Sequence, residues 1–440
     1  MENGNLRRKK FDYKWVIVAL CFLMVMICLG FCSSNKSIYL NAITGALGIS
    51  RGAFSINDSC RFITTAIVNM FFGTLVYRYG TKKLIAAGFI SLILSMLIYS
   101  FATNIFVFYI GGVLLGLGMS WTTTTMVGSI VNKWCKENKG TIMGAVLAAN
   151  GLGGAIAAQI ISPIIYEEGN PFGYQNAYRL VALILFVVAV IIMIFYRENP
   201  KGYVDDGKPQ VHKKKPRGEG WVGISFEEAI TKPYFYGAAI CIFLTGMLLQ
   251  GINGAAAPHM YDVGLDAGFV ATMLSVHSLA LAGFKFLTGF IYDRAGLRVT
   301  MNICITCAVL VMLVLTFITK SFSGQVLAMV YGVFSSLALP LETIMLPIYA
   351  GDLFGQKSYN KILGIFVSIN TAGYAIGAPL MNLTYDVLGS YRISFFISAV
   401  LMLLVGIALQ FVLTNAKKER TLVLEREEKL KAEKTANINA

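Results

Sequence analysis

The sequence predicts an all-α polytopic membrane protein, twelve transmembrane helices arranged as two pseudo-symmetric bundles of six. Three observations predict it. Of 440 residues, 56% are hydrophobic and only 14% charged, with a mean hydropathy of +0.66, a balance that water-soluble domains of this length do not carry. Apolar stretches long enough to cross a hydrocarbon layer recur along the whole chain. The two halves also share a glycine-and-charge pattern at a nearly constant offset.

In order, residues 1–14 form a polar segment with Arg7, Arg8, Lys9 and Lys10 before the first span. Apolar runs follow at about 15–35, 53–76, 84–102, 105–131, 141–165 and 179–196, a first six-helix bundle over 15–196. Residues 197–233 are a connector in which Lys213, Lys214, Lys215 and Arg217 stand among Gly, Pro and Asp. Such a basic segment suits contact with anionic lipid headgroups, and a short amphipathic piece is expected near Ser225–Ile230. Six more runs, at about 234–258, 268–292, 299–319, 323–350, 362–385 and 392–414, make a second bundle over 234–414. The tail, 415–440, mixes acids and bases at helical spacing and reads as a solvated helix.

The net charge of +14 does not point to nucleic acid, because the bases gather in alternate loops. One set holds Arg78, Lys82 and Lys83, then Lys133, Lys136 and Lys139, the connector, Arg294 with Arg298, and the tail. The other set holds Glu167 and Glu168, Asp262 and Asp266, a lone Lys320, and Asp386 with Arg392. The basic set faces the cytoplasm, so both termini are expected inside a multi-pass cytoplasmic membrane protein. No short apolar core with a small-residue cleavage site precedes the first span, so no cleaved leader is expected.

The eight cysteines fall mostly within apolar runs and read as packing residues, Cys304-x-x-Cys307 included. Three histidines and isolated cysteines form no metal set or nucleophile–base pair, and no glycine loop carries the Lys-Ser/Thr that cradles nucleotide phosphates. An enzyme, a metal and a cofactor are not expected. A sensor would require an appended signalling domain, and the chain shows none.

The repeat is specific. Gly73, Arg78, Gly80 and Lys82 return as Gly289, Arg294, Gly296 and Arg298 at one offset (289 − 73 = 216). Gly144, Asn150 and Gly153 return as Gly364, Asn370 and Gly373 (364 − 144 = 220). Halves repeated in this way place a substrate site near the bilayer midplane, between them.

Charged residues deep in apolar runs are the candidates for that site. Lys285 lies nine residues before Arg294, about 13 Å at ~1.5 Å per residue, near the middle of a layer about 30 Å thick. An ammonium there needs a partner or a wet cavity. Glu342 lies at a similar depth, between Pro340 and Pro347. Paired with Lys285, it would accept a proton when an incoming carboxylate engages the lysine. Arg61 and His277 occupy equivalent points of the repeat, and Asp58 is one turn from Arg61. With Lys36 they form an outer gate, or simply sit at the outer headgroup level.

Gly289-x-x-x-Asp293-Arg294-x-Gly296-x-Arg298 resembles the loop between spans 2 and 3 of the major facilitator superfamily, here in its second-half copy. In the first copy Tyr77 stands where that family has an acid. Gly116-Leu117-Gly118, Asn132-Lys133-Trp134, Gly377-Ala378-Pro379, Tyr385-Asp386 and Asn35-Lys36-Ser37 resemble segments of its monocarboxylate and oxalate/formate porter group. The resemblance implies the superfamily's two-bundle fold and switch loops made of Gly73, Arg78, Gly80, Lys82, Gly289, Asp293, Arg294, Gly296 and Arg298. It implies a carboxylate bound by the span 8 cation, Lys285. Gln250, Asn253, Asn150, Asn370 and Trp121 occupy helices that face the cavity in that family. The function it implies is transport of a small organic anion of the monocarboxylate type, by proton symport or exchange with a counter-anion, in a monomer. The rival is export of larger amphipathic or drug-like acids.

Overall fold

The computed structural model describes residues 13–135, 139–199, 223–343, 345–355 and 357–438. The basic N-terminal residues Arg7 to Lys10, Lys136 and the connector lysines Lys213–Lys215 lie outside these. Among the described residues every regular element is helical. Ten helices among the described residues are long and apolar enough to cross a membrane.

The first half comprises α1 (Lys14–Leu47), α2 (Arg51–Met70, continued as Phe72–Tyr79), α3 (Thr81–Phe101), α4 (Ile105–Thr122 and Thr124–Trp134), α5 (Lys139–Ile165) and α6 (Gly173–Phe195). The second comprises α7 (Pro233–Asp262), α8 (Ala267–Tyr292), α9 (Arg294–Thr316), α10 (Phe322–Ala338, then Pro340–Thr343 and Met345–Phe354), α11 (Tyr359–Leu388) and α12 (Arg392–Ile438). The expected tail helix is a continuation of α12. The short amphipathic piece is present as one turn, Phe226–Ala229, where Ser225 accepts a hydrogen bond from the Glu228 N–H at 3.2 Å. There the backbone N–H of Glu227, and then the Lys361 ammonium, hold the Glu227 carboxyl below its ordinary range.

The repeat read from sequence is carried by the backbone. Gly80 and Gly296, 216 apart, take φ of 78° and 77° where α2 meets α3 and α8 meets α9. Gly48 and Gly264, at the same offset, both take positive φ after the first helix of each half. Two residues on, Ser50 accepts from the Ala53 N–H and Asp266 from those of Gly268 and Phe269, so both second helices are capped alike. A side chain would be strained at each glycine, which explains the recurring residue.

Close approach of helix pairs repeats too. A Cβ on Gly30 or Gly153 would collide with the facing main chain of α5 or α1, and one on Gly373 with the main chain of α7 at Phe243. Small residues draw membrane helices together in this way, because lipid offers no hydrophobic drive between them.

Among the described residues the halves meet at one end only. Call the end holding Lys14 and the α12 extension the basic end. Toward the opposite, far end, α5 meets α8: Ser275 Oγ donates to the Ala155 carbonyl at 2.9 Å, and Gln159 Nε2 to Ser275 at 3.1 Å. There α2 meets α11: Asn382 Nδ2 donates to Ser55 at 2.8 Å, and Ser59 Oγ to the Ala375 carbonyl. Toward the basic end the same helix faces part. On α11 the stripe Asn382, Ala378, Ala375 continues to Thr371, half-buried, and Ser368, exposed. On α2 it continues to Ile63 and Met70, 53% and 79% exposed. Nothing would touch a Cβ on Gly144, Gly283, Gly289 or Gly364. A cleft therefore opens between the bundles from the basic end.

Gly153 supports a backbone contact and Gly144 faces open space, which gives a paired test. Gly153→Val should cost about 1–3 kcal/mol of overpacking and lower the melting midpoint of the purified protein by several degrees. Gly144→Val should leave the midpoint within error.

Candidate functional site

A cavity of about 60 Å³ lies between the bundles, walled by α1, α2, α3, α6, α7 and α11. Local irregularity in α1 aims a cation into it. Residues Met26–Ser34 form a π-helical segment, and Asn35 departs from helical geometry at φ −113°, ψ 21°. The Asn35 side chain donates to the Gly154 carbonyl of α5 at 2.7 Å, which anchors the bend. A helix restarts at Lys36, whose ammonium binds Oδ1 of Asp58.

Arg61, one turn along α2, places Nε 3.3 Å from the same Asp58 oxygen, and its Nη1 donates to Ser33 Oγ at 3.3 Å. The side chains are 21% (Lys36), 21% (Asp58) and 8% (Arg61) exposed. Two cations share one carboxylate oxygen, and among the described residues lining the cavity there is no other charge. One positive charge is left over. Glycines make the arrangement possible from behind: Gly112 and Gly116 of α4 lie against the main chain of Asn57 and Arg61, where any Cβ would collide.

Aromatic rings of the first half complete the cavity's wall. Tyr178 stacks on Tyr39 with ring centroids 4.3 Å apart and lies 5.1 Å from Tyr99. The Tyr99 hydroxyl donates to Asn57 Oδ1 at 2.8 Å. From the second half, α7 contributes Gln250, Asn253 and Gly254, and α11 contributes Ala378 and Asn382.

Above the cavity, toward the far end, an ion pair crosses between the halves. Arg51 binds Asp262 through two nitrogens at 2.5 and 2.6 Å. Its guanidinium lies 4.0 Å from the Tyr385 ring centroid. Asn41 adds a hydrogen bond to Asp262 at 3.3 Å. The Asp386 carboxylate accepts the Arg51 and Gly52 N–H groups at 3.1 and 2.8 Å, in the first turn of α2 where an anion is favoured. Asp58 is seven residues below Arg51, about 10 Å at ~1.5 Å per residue, so this latch seals the cavity from the far end.

The structure brings together Lys36, Asp58, Arg61, Gln250 and Asn253 and leaves the other sequence candidates elsewhere. His277 matches Arg61 in the repeat, but its ring bonds Ser335 and Ser336 of α10 at 2.9 and 3.1 Å, inside the second half. Lys285 is half-buried on α8, outside this cavity. It continues the stripe of Ser278 and Ala282 that packs on Gly151 of α5, at the point where the two helices part.

Asn150 accepts from Ser34 Oγ at 2.9 Å, tying α5 to α1. Asn370 lines a smaller space, about 10 Å³, within the second half, beside Thr245 and Tyr349. Trp121 packs on Gly88 of α3, outside the cavity lining. Glu342 falls in the single turn Pro340–Thr343, and its side chain lies outside the described residues. The same is true of the Asp293 side chain and of the surroundings of Gly73.

Around the switch loops, Arg78 lies over Tyr79, Lys82 is half-buried, Arg294 lies over Phe290, and Arg298 donates to Thr414 Oγ1 at 3.1 Å. The acid missing from the first copy is supplied from a distance: Glu198, just past α6, accepts the Thr81 N–H at 2.7 Å at the start of α3. Sequence reading also passed over Arg51, Asp262, Tyr99 and Tyr178. Asp262 looked like a loop charge, and the tyrosines carry no local signal. Among the described residues no group of His, Cys, Asp and Glu is placed to hold a metal.

Twelve helices in repeated halves, with a charged cavity between them that is shut at one end, define a multi-pass membrane transporter. The chain belongs to the Major Facilitator Superfamily, whose sequence profile matches residues 18–244 and 238–438. It is 22% identical to the sialic acid transporter NanX of Escherichia coli (strain K12), over 83% of this chain and 87% of that protein. It is 26% identical to monocarboxylate transporter 13 of Bos taurus, over 74% and 72% of the respective chains. Among solved structures it resembles the nucleoside transporter NupG (TM-score 0.70, 13% identity, 91% and 99% covered). It also resembles a bacterial homologue of the human lysosomal transporter Spinster (TM-score 0.70, 14% identity, 92% and 98% covered).

The latch predicts a shift in conformation when it is cut. With a spin-label pair spanning the far ends of α2 and α11, Arg51→Ala or Asp262→Ala should raise the far-end-open population about tenfold, the effect of losing one charged hydrogen-bonded pair. The charge-reversed double variant, Arg51→Asp with Asp262→Arg, should restore much of the closed population.

Proposed function

We propose that this protein is a secondary active transporter. It carries a small organic anion of the monocarboxylate type across the cytoplasmic membrane by alternating access, through proton symport or anion exchange. The observation that carries this reading is the surplus positive charge of Lys36, Asp58 and Arg61 in a cavity walled by both halves. A buried unneutralised cation is costly, and a visiting carboxylate removes the cost. The names of similar proteins, a sialic acid transporter and a monocarboxylate transporter, agree with an acid as cargo.

In this reading the basic loops, the open end and both termini face the cytoplasm, which makes this the inward-facing state. An anion entering from that side meets Lys285 first, where α5 and α8 part, and then Lys36 and Arg61. Binding at Lys36 frees Asp58 from one of its two cations, and in the pairing of Lys285 with Glu342 suggested by the sequence, an anion on the lysine would free Glu342 in the same sense. Either carboxylate is then suited to take up a proton. Cutting and re-forming the Arg51–Asp262 latch would alternate access.

The test is uptake into proteoliposomes of formate, acetate, lactate, pyruvate, oxalate and a bulky aromatic acid, with and without a pH gradient. Saturable uptake of at least one small acid is expected, and Lys36→Gln and Lys285→Ala should each reduce it tenfold or more, the effect of one lost charge-assisted contact of about 1.5–3 kcal/mol. Uptake of the aromatic acid alone would favour an exporter of larger amphipathic compounds. Glu342→Gln should abolish the response to the pH gradient while sparing exchange. If coupling survives that change and disappears in Asp58→Asn, the proton belongs to Asp58.

A further inference from the structure

The cavity holds more hydrogen-bonding capacity than a plain aliphatic acid can use. Much of its polar lining is already engaged: Asn57 by Tyr99, Ser33 by Arg61, Ser34 by Asn150, and Asn382 by Ser55 and Tyr391. Gln250 and Asn253 are different. Both are half-buried on α7, three residues apart and so on one helix face, and among the described residues neither amide has a hydrogen-bonding partner. They line the cavity from the second half, while Lys36 and Arg61 line it from the first. Charge lies on one side of the space and neutral donor–acceptor groups on the other.

We propose that the cargo is a polyhydroxylated carboxylate, a sugar acid by chemical class. Its carboxylate lies on Lys36 and Arg61, and its hydroxyl groups lie on Gln250 and Asn253. This rests on the anion-carrier reading and names the substrate for the same site. A carboxamide offers both a donor and an acceptor, the complement of a hydroxyl group. A methylene chain in the same place would strip water from both amides and leave them unpaired, and that unpaired state is what discriminates between a hydroxylated ligand and its deoxy analogue. The space admits several water-sized groups, enough for hydroxyls as well as a carboxylate.

The experiment compares D-gluconate with hexanoate, acids of equal chain length and charge, with the full-length protein in proteoliposomes. The wild type is expected to take up gluconate with a KM at least tenfold below that for hexanoate. Gln250→Leu and Asn253→Leu should each raise the gluconate KM roughly tenfold, the equivalent of one lost hydrogen bond. The KM for hexanoate should stay the same or fall, and that also reports that the variants are folded. Equal uptake of the two acids by the wild type, or equal losses for both in the variants, would overturn the assignment. Lys36-dependent uptake of lactate without discrimination by hydroxyl groups would remove the sugar-acid class and leave the anion carrier standing. No uptake of any acid would remove both.

Discussion

One positive charge more than the cavity can neutralise is the constraint that the rest of the structure serves. A simple Lys36–Asp58 pair would be a neutral crosslink between α1 and α2, and burying it would add little or nothing to stability. Arg61 turns that crosslink into a site, because it competes for the same Asp58 oxygen and leaves the cations under-satisfied. Holding such a cluster needs rigid surroundings. The π-helical segment and the Asn35–Gly154 bond fix where Lys36 emerges. Gly112 and Gly116 bring α4 close enough to hold α2 still. These features would be odd in a purely structural bundle, and each has a reason once the cluster is the object being positioned.

The same economy of small residues governs how the halves move. Serine, glycine and alanine form the stripes of α2, α5, α8 and α11 that meet at the far end; toward the parted end α5 keeps Gly144 and α11 keeps Thr371 and Ser368, whereas α2 turns to Ile63 and Met70 and α8 to Lys285. Faces of this kind can pack at either end with little change in burial. The preference for one closure must then come from a few polar contacts. Arg51 with Asp262, Asn41 and Tyr385 is the strongest such group among the described residues of the far end, and it is only partly buried. A latch of modest strength suits a carrier, since a deep energy minimum for either state would stop the cycle.

Much of this was legible in the sequence, for identifiable reasons. The spans were visible because hydrocarbon demands length and apolarity together, and the largest boundary error, the end of α1 at Leu47 rather than near residue 35, has a cause. Lys36 was read as lying at the outer end of the span, although it lines the space between the bundles instead. The repeat was visible because Gly80 and Gly296 must take positive φ at the same turn. The site was half legible. Intramembrane charge drew attention to Lys36, Asp58, Arg61 and Lys285, but depth along a helix says nothing of the direction a side chain faces. His277 and Arg61 share a depth and a repeat position, yet one bonds to α10 and the other faces the cavity. Asp262 and Glu198 were illegible because their partners, Arg51 and Thr81, are 211 and 117 residues away in the chain.

That divergence within the repeat bears on what the cavity can hold. Two copies of one bundle would offer a ligand the same groups from both sides, and a symmetric dianion would suit them. Here the copies have separated in chemistry: the first half supplies Lys36, Asp58 and Arg61 and the second supplies only amides. Where the first half has Arg61, the second has a histidine turned into its own interior. A site that is charged on one wall and neutral on the other orients its cargo, because turning the molecule end for end would set a carboxylate against two carboxamides and leave the cations bare. For the anion carrier proposed above, this asymmetry would favour a monoanion with a polar body, which both bundles would grip through different ends, as a carrier that closes around its cargo requires.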